Sequence, residues 1–129
     1  MEAPLGTWLF GRMLERMRMY QAAVALNEQV EKLLERAKEK APKIADHLER
    51  SANSVLFNTA EGIGAFKPKV KIAAYDIARK EGNEVRSALR RLVIKKVFTA
   101  AEVRKADELA GACVGMLTNA IRTLERRNK

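Results

Sequence analysis

The chain has 129 residues, 47% of them apolar and only 5% aromatic, with three prolines and seven glycines. That size fits one domain over 1–129, and few breakers with few aromatics favour helices over strands. No apolar run approaches the roughly 18–20 residues of a membrane span, and the single Cys113 excludes a disulfide framework and a cysteine metal site.

The start, MEAPLGTWLFGRM, lacks the basic and apolar regions of a signal peptide, so the expected location is cytoplasmic. The formal charge of +9 is unevenly placed. Residues 66–105 hold 12 Lys/Arg against 4 Asp/Glu, while the rest holds 13 against 12. Such a field attracts nucleic acid, an acidic protein surface or anionic lipid; a basic surface that only keeps the chain in solution is the plain alternative.

The first predicted helix runs from about Thr7 to Lys40, with Met13, Met17, Tyr20, Val24, Val30, Leu33, Leu34 and Ala37 as its inner stripe. Pro42 closes it and suits the first turn of the next helix. The second runs from about Pro42 to Ile63 and buries Ile44, Leu48, Ala52, Val55, Leu56 and Thr59. The third runs from about Lys69 to Val97, with Val70, Ala74, Ile77, Ala78, Val85, Ala88, Leu89 and Leu92 on one face.

The fourth opens on a T-x-x-E capping box, Thr99 and Glu102, with Phe98 and Val103 placed as a hydrophobic staple. Val103, Ala106, Ala110, Cys113, Leu117, Ala120 and Leu124 then follow an unbroken 3-4 spacing, a bundle seam. Short connections between four long amphipathic helices give an all-α, antiparallel up-down-up-down four-helix bundle.

Gly62-Ile63-Gly64 lacks the third glycine and the preceding strand of a dinucleotide fingerprint, and no Gly-Lys-Ser/Thr follows. The expected role is a helix terminus with a left-handed glycine, Pro68 then delaying regrowth. Arg50, Ser54, Asn58 and Glu61 form a polar stripe on the second helix. Asp76, Arg79, Asn83, Arg86, Ser87 and Arg90 form another on the third. These stripes meet in a protein interface or face water.

Here the chain resembles the four-helix-bundle family of ribosomal-RNA intervening-sequence proteins. That family's second helix reads Q-[IL]-x-R-x-A-x-S-[IV]-x-x-N-[IT]-A-E-G-x-G. HLERSANSVLFNTAEGIG matches at Arg50, Ala52, Ser54, Asn58, Ala60, Glu61, Gly62 and Gly64. DIARKEGNEV, Asp76 to Val85, is similar to its third-helix core, and MYQAA, Met19 to Ala23, to its first-helix start. The likeness spans about residues 14–127. The chain departs at Val55-Leu56, where the family often has Ile-Pro, and at Lys80-Glu81, where it often has Gly-Ser.

The resemblance implies a homopentameric ring without established enzyme activity. It extends to the accessory proteins of diversity-generating retroelements, basic rings that bind nucleic acid and a reverse transcriptase. It also implies that Arg50, Ser54, Asn58, Glu61, Asp76 and Asn83 are a polar framework.

Nothing catalytic assembles from the residues. His47 is the only histidine and Cys113 lies on the apolar seam; no Glu-x-x-His pair offers a metal site, and no cofactor is expected. Glu61 and Asp76 have Arg50 and Arg79 near in sequence and so read as ion pairs. Trp8, Tyr20, Phe66 and Tyr75 are too scattered for a base-stacking platform. Nucleic acid, RNA or DNA, would be held by its phosphates. The candidates are Lys67, Lys69 and Lys71 at the second loop, Arg79, Arg86 and Arg90 on one face, and Arg91, Lys95 and Lys96 near that helix's end. The alternative is a scaffold whose basic face meets an acidic protein.

Overall fold

A computed structural model describes residues 5–127, with side chains from Phe10 onward. Its four helices are α1 (Leu5–Lys40), α2 (Pro42–Gly64), α3 (Pro68–Ile94) and α4 (Ala100–Arg127). Neighbours in sequence are neighbours in space, and α1 closes on α4, as an up-down-up-down bundle requires. No described helix is long and apolar enough to cross a membrane.

Local signals set the boundaries. Pro42 begins α2 and Pro68 begins α3, where a missing N–H is no loss. At α4 the capping box is made: Glu102 N–H donates to Thr99 Oγ1 at 3.2 Å, and Thr99 N–H donates to Glu102 Oε1 at 2.9 Å. The bond from the Thr99 amide, and next that from the Arg36 guanidinium, hold the Glu102 carboxyl below its usual range. Phe98 and Val103 are both buried, as a staple requires. Arg36 of α1 covers that joint, 4.8 Å above the Phe98 ring and 2.9 Å from Glu102.

The core contains Leu26 and Val30 of α1, Leu48 and Val55 of α2, Val85, Leu89 and Leu92 of α3, and Leu117 of α4. All seven predicted seam residues of α4 are buried. Burial of Cys113 pushes its thiol up to about 11, the property of a packed side chain and not of an activated nucleophile.

Three expectations change. The first half of the α1 stripe turns outward: Met13, Met17 and Tyr20 are exposed, and Met19, Ala22, Ala23 and Leu26 take the inner positions. The cause is rotational phase: at 100° per residue Met13, Met17 and Tyr20 lie about 100–160° around α1 from Met19, where the core stripe begins. α1, with 36 residues, is also longer than its antiparallel neighbour α2, with 23, so its first turns run about 20 Å beyond α2 and lie along the end of α4. On α3, Val70 and Ile77 are likewise half-exposed.

Secondly, α3 stops at Ile94. Lys96 N–H donates to the Val93 carbonyl at 2.9 Å and Val97 N–H to that of Leu92 at 3.0 Å, a Schellman closure. Lys96 occupies its left-handed position, φ 62°, where glycine is the usual choice.

Thirdly, α2 does end at Gly64, but no described glycine has positive φ, and the chain leaves through an extended Ala65. Gly62 is needed for space instead: a Cβ there would collide with the ring of the buried Tyr75. The last α2 carbonyls are closed by a side chain. Lys71 Nζ donates to Gly62 O at 2.9 Å and Ile63 O at 3.0 Å.

Candidate nucleic-acid interface

Arg90 and Arg91 end the regular part of α3, Lys95 and Lys96 form the turn, and Arg104 and Lys105 follow one turn into α4. All six are exposed, and among the described residues none of them forms a salt bridge. Their charge is therefore directed at solvent. Behind them lies a groove of about 230 Å³ between α3 and α4, with Leu89, Val93 and Val103 as apolar floor and Arg86, Arg90 and Arg104 as cationic wall.

Arg86 is part of the frame of that groove. Its Nε donates to Asp107 Oδ1 at 2.9 Å and its Nη2 to Oδ2 at 3.3 Å, a forked bond from α3 to α4. Arg79 does not reach the groove. Its Nη2 lies 2.7 Å from Asp76 Oδ1, and Lys80 closes on Oδ2 at 3.2 Å. Those two bonds, Arg79 first, hold Asp76 below the usual carboxylate range. The expected single face of Arg79, Arg86 and Arg90 thus resolves into one side chain paired on its own helix, one bridging helices, and one unpaired.

The loop lysines divide too. Lys67 and Lys69 are exposed. Lys71 is buried, with two of its three N–H donors on α2 carbonyls, so it is a helix-capping residue and not a surface phosphate contact. Burial, reinforced by the nearby charge of Arg16, moves its amine below the usual lysine range.

The polar framework residues bond within their own helices. Asn58 Nδ2 donates to Ser54 O and Oγ, both at 3.0 Å, and Arg50 Nε to Asp46 Oδ2 at 3.2 Å, not to Glu61. Glu61 and Asn83 are exposed. Between α2 and α3, His47 Nε2 approaches Glu84 Oε2 at 3.3 Å, and Ser51 Oγ lies 3.5 Å from the same oxygen.

Sequence reasoning missed a second basic group. The topology places the start of α1, the α2–α3 connection and the end of α4 at one pole, uniting Arg12, Arg16 and Arg18 with Lys67, Lys69, Arg122, Arg126 and Arg127. Charge summed along the chain hides this group. Charge summed by end of the bundle, once the up-down order is known, reveals it.

Fold and surface together define a basic, all-helical bundle with cationic groups at both ends. The chain belongs to the 23S rRNA-intervening sequence protein family, whose model matches residues 15–119. Among solved structures, a protein of unknown function from the S23 ribosomal protein family of Bacteroides thetaiotaomicron is similar, with a TM-score of 0.78 and 17% identity. The match covers 84% of this chain and 98% of that one; at that identity it speaks for the fold. No curated protein matches the chain.

Proposed function

We propose that this chain is a non-catalytic, oligomeric module that binds nucleic acid through backbone phosphates, as an accessory of a ribonucleoprotein. The observation that carries the reading is the set Arg90, Arg91, Lys95, Lys96, Arg104 and Lys105, six exposed cations without a salt bridge among the described residues, over one turn and its flanking helix ends. Lys96 strengthens it. A left-handed lysine costs about 1–2 kcal/mol where glycine would be relaxed, so the turn carries a cation at a position its backbone disfavours. The family's name, which links it to 23S rRNA, fits the same partner class.

The oligomer rests on two apolar patches that the fold leaves uncovered. Phe10, Met13, Met17 and Tyr20 lie on α1; Val70 and Ile77 lie on α3, which is not an adjacent helix. Two unlike patches on one chain suit a head-to-tail contact, and such a contact closes into a ring where the rotation between copies divides a full turn. The family resemblance sets the expected number at five.

The test is a salt titration with bare RNA and DNA. The parent binds both without a protein partner. Changing Arg90, Arg91, Lys95 and Lys96 to Gln keeps the helicity and flattens the salt dependence by about 0.7–0.9 units of log–log slope for each phosphate no longer neutralised. Failure of the parent to bind either polymer at low salt would overturn the proposal in favour of an acidic protein partner.

A further inference from the structure

The groove between α3 and α4 has a floor of Leu89, Val93, Ala100 and Val103, with Arg90 rising from one helix and Arg104 from the other. Both arginines are exposed, and among the described residues neither forms an ion pair or a side-chain hydrogen bond. We propose that this groove seats one unpaired base of a single-stranded nucleic acid, with the guanidinium planes of Arg90 and Arg104 stacked on it and the surrounding cations on the phosphates to either side. The proposal rests on the nucleic-acid reading above and adds the form of strand that the surface selects.

Phosphate binding alone leaves the floor unexplained. A backbone held by surface cations gains nothing from Leu89, Val93 and Val103, whereas a base laid over them removes apolar surface from water. Size limits the occupant as well. About 230 Å³ lies below the roughly 300–1,000 Å³ of sites that enclose a drug-sized ligand, so the groove suits one flat ring system. No aromatic side chain lines it, but guanidinium planes also serve as stacking partners for splayed-out bases.

Arg86 and Asp107 border the same groove as a fixed donor–acceptor pair. Gly111 leaves the room that the guanidinium occupies, since a Cβ there would stand 3.2 Å from Arg86 Nη1. Arg86 keeps N–H groups beyond the two it donates, and the Asp107 oxygens keep lone pairs. A donor beside an acceptor matches the pairing edge of any base, so the groove requires an unpaired base and no particular one. In a duplex that edge is already taken, and the base would have to be flipped out of its stack. Charge alone gives the opposite preference, because a duplex carries the denser line of phosphates.

The experiment uses fluorescence anisotropy with three probes of equal length and label at one salt concentration: an unstructured mixed-sequence RNA strand, its blunt duplex, and an abasic strand with the same phosphates. The intact strand is expected to bind about tenfold more tightly than either of the others. Ala100→Leu, at an exposed position, fills the groove and leaves every charge in place; it should bring the intact strand down to the abasic level. Arg90→Lys with Arg104→Lys keeps the charge and removes the planes, and should shrink the same ratio even if Ala100→Leu disturbs the start of α4.

Equal binding of the intact and abasic strands, or tighter binding of the duplex, would overturn the proposal and leave phosphate binding standing. Tighter binding of an acidic glutamate–leucine peptide than of the intact strand would give the groove to a protein partner and overturn it too. If none of the three probes binds at low salt, the nucleic-acid reading falls and the base site falls with it.

Discussion

Gly62, Tyr75 and Lys71 form one joint where α2 ends and α3 begins. The glycine admits the ring, and the lysine closes the carbonyls that the helix end leaves open. Gly62→Ala is therefore expected to destabilise by about 1–3 kcal/mol through overpacking, despite the better helix propensity of alanine. Chemical denaturation measures this, and a stabilised variant would show that the ring yields freely. Glu81 offers a pH test. Burial, and next the Glu84 carboxylate, raise its carboxyl above the ordinary 4.5. The folded state thus prefers its protonated form. That stabilisation is complete below about 4.5 and is lost as pH rises through the raised value. Glu81→Gln should accordingly raise the melting temperature at pH 7, with the gain shrinking toward pH 4. A gain that does not depend on pH would point to a cause other than titration.

At the scale of the helix, α4 is the element most fully written in the sequence. Its cap chemistry is local, and its seam has partners along its whole length, so spacing alone identifies the buried side. Leu117, 1% exposed, is the place to test it. Leu117→Asp should cost more than about 4 kcal/mol and melt the bundle, visible as lost helical circular dichroism. The start of α1 is the opposite case. Met13, Met17 and Tyr20 have the same helical period as Met19, Ala22, Ala23 and Leu26, and both sets are apolar. Which set turns inward depends on the side from which α2 and α4 pack on α1, a property of the neighbouring helices that periodicity within α1 does not contain. The Lys71 expectation failed similarly. A lysine in a basic loop reads as surface charge until the open carbonyls of α2 are in place beside it. The α3 terminus was obscured because its closing residue is lysine and not the glycine that normally marks a left-handed stop. Lys96→Gly should then gain about 1 kcal/mol of stability and lose affinity for nucleic acid together. Unchanged affinity would exclude Lys96 from the interface.

For the molecule as a whole, chain order and spatial order of charge differ. The up-down path folds a sequence with one basic middle into a bundle with two basic poles, separated by the length of α3. If copies of this 14.5 kDa chain close into a ring, each pole is repeated around the axis, and individually weak phosphate contacts act together. Light scattering after size exclusion should report about five chains per particle, and a monomer at micromolar concentration would remove the ring from the proposal. Loss of assembly in Met13→Ser/Met17→Ser, without loss of monomer helicity, would locate the contact on the α1 overhang.

The unequal lengths of α1 and α2 also set a gradient of amide protection within one continuous helix. Residues 19–37 of α1 are clamped by the core, and their hydrogen exchange should require global unfolding. Residues 10–17 extend beyond α2 and keep only the end of α4 and the start of α3 beside them, so in dilute protein their amides should exchange faster. Self-association through the exposed methionines would slow exchange in that segment alone as concentration rises. One helix would then report fold stability from its C-terminal half and assembly from its N-terminal half in the same mass spectrum.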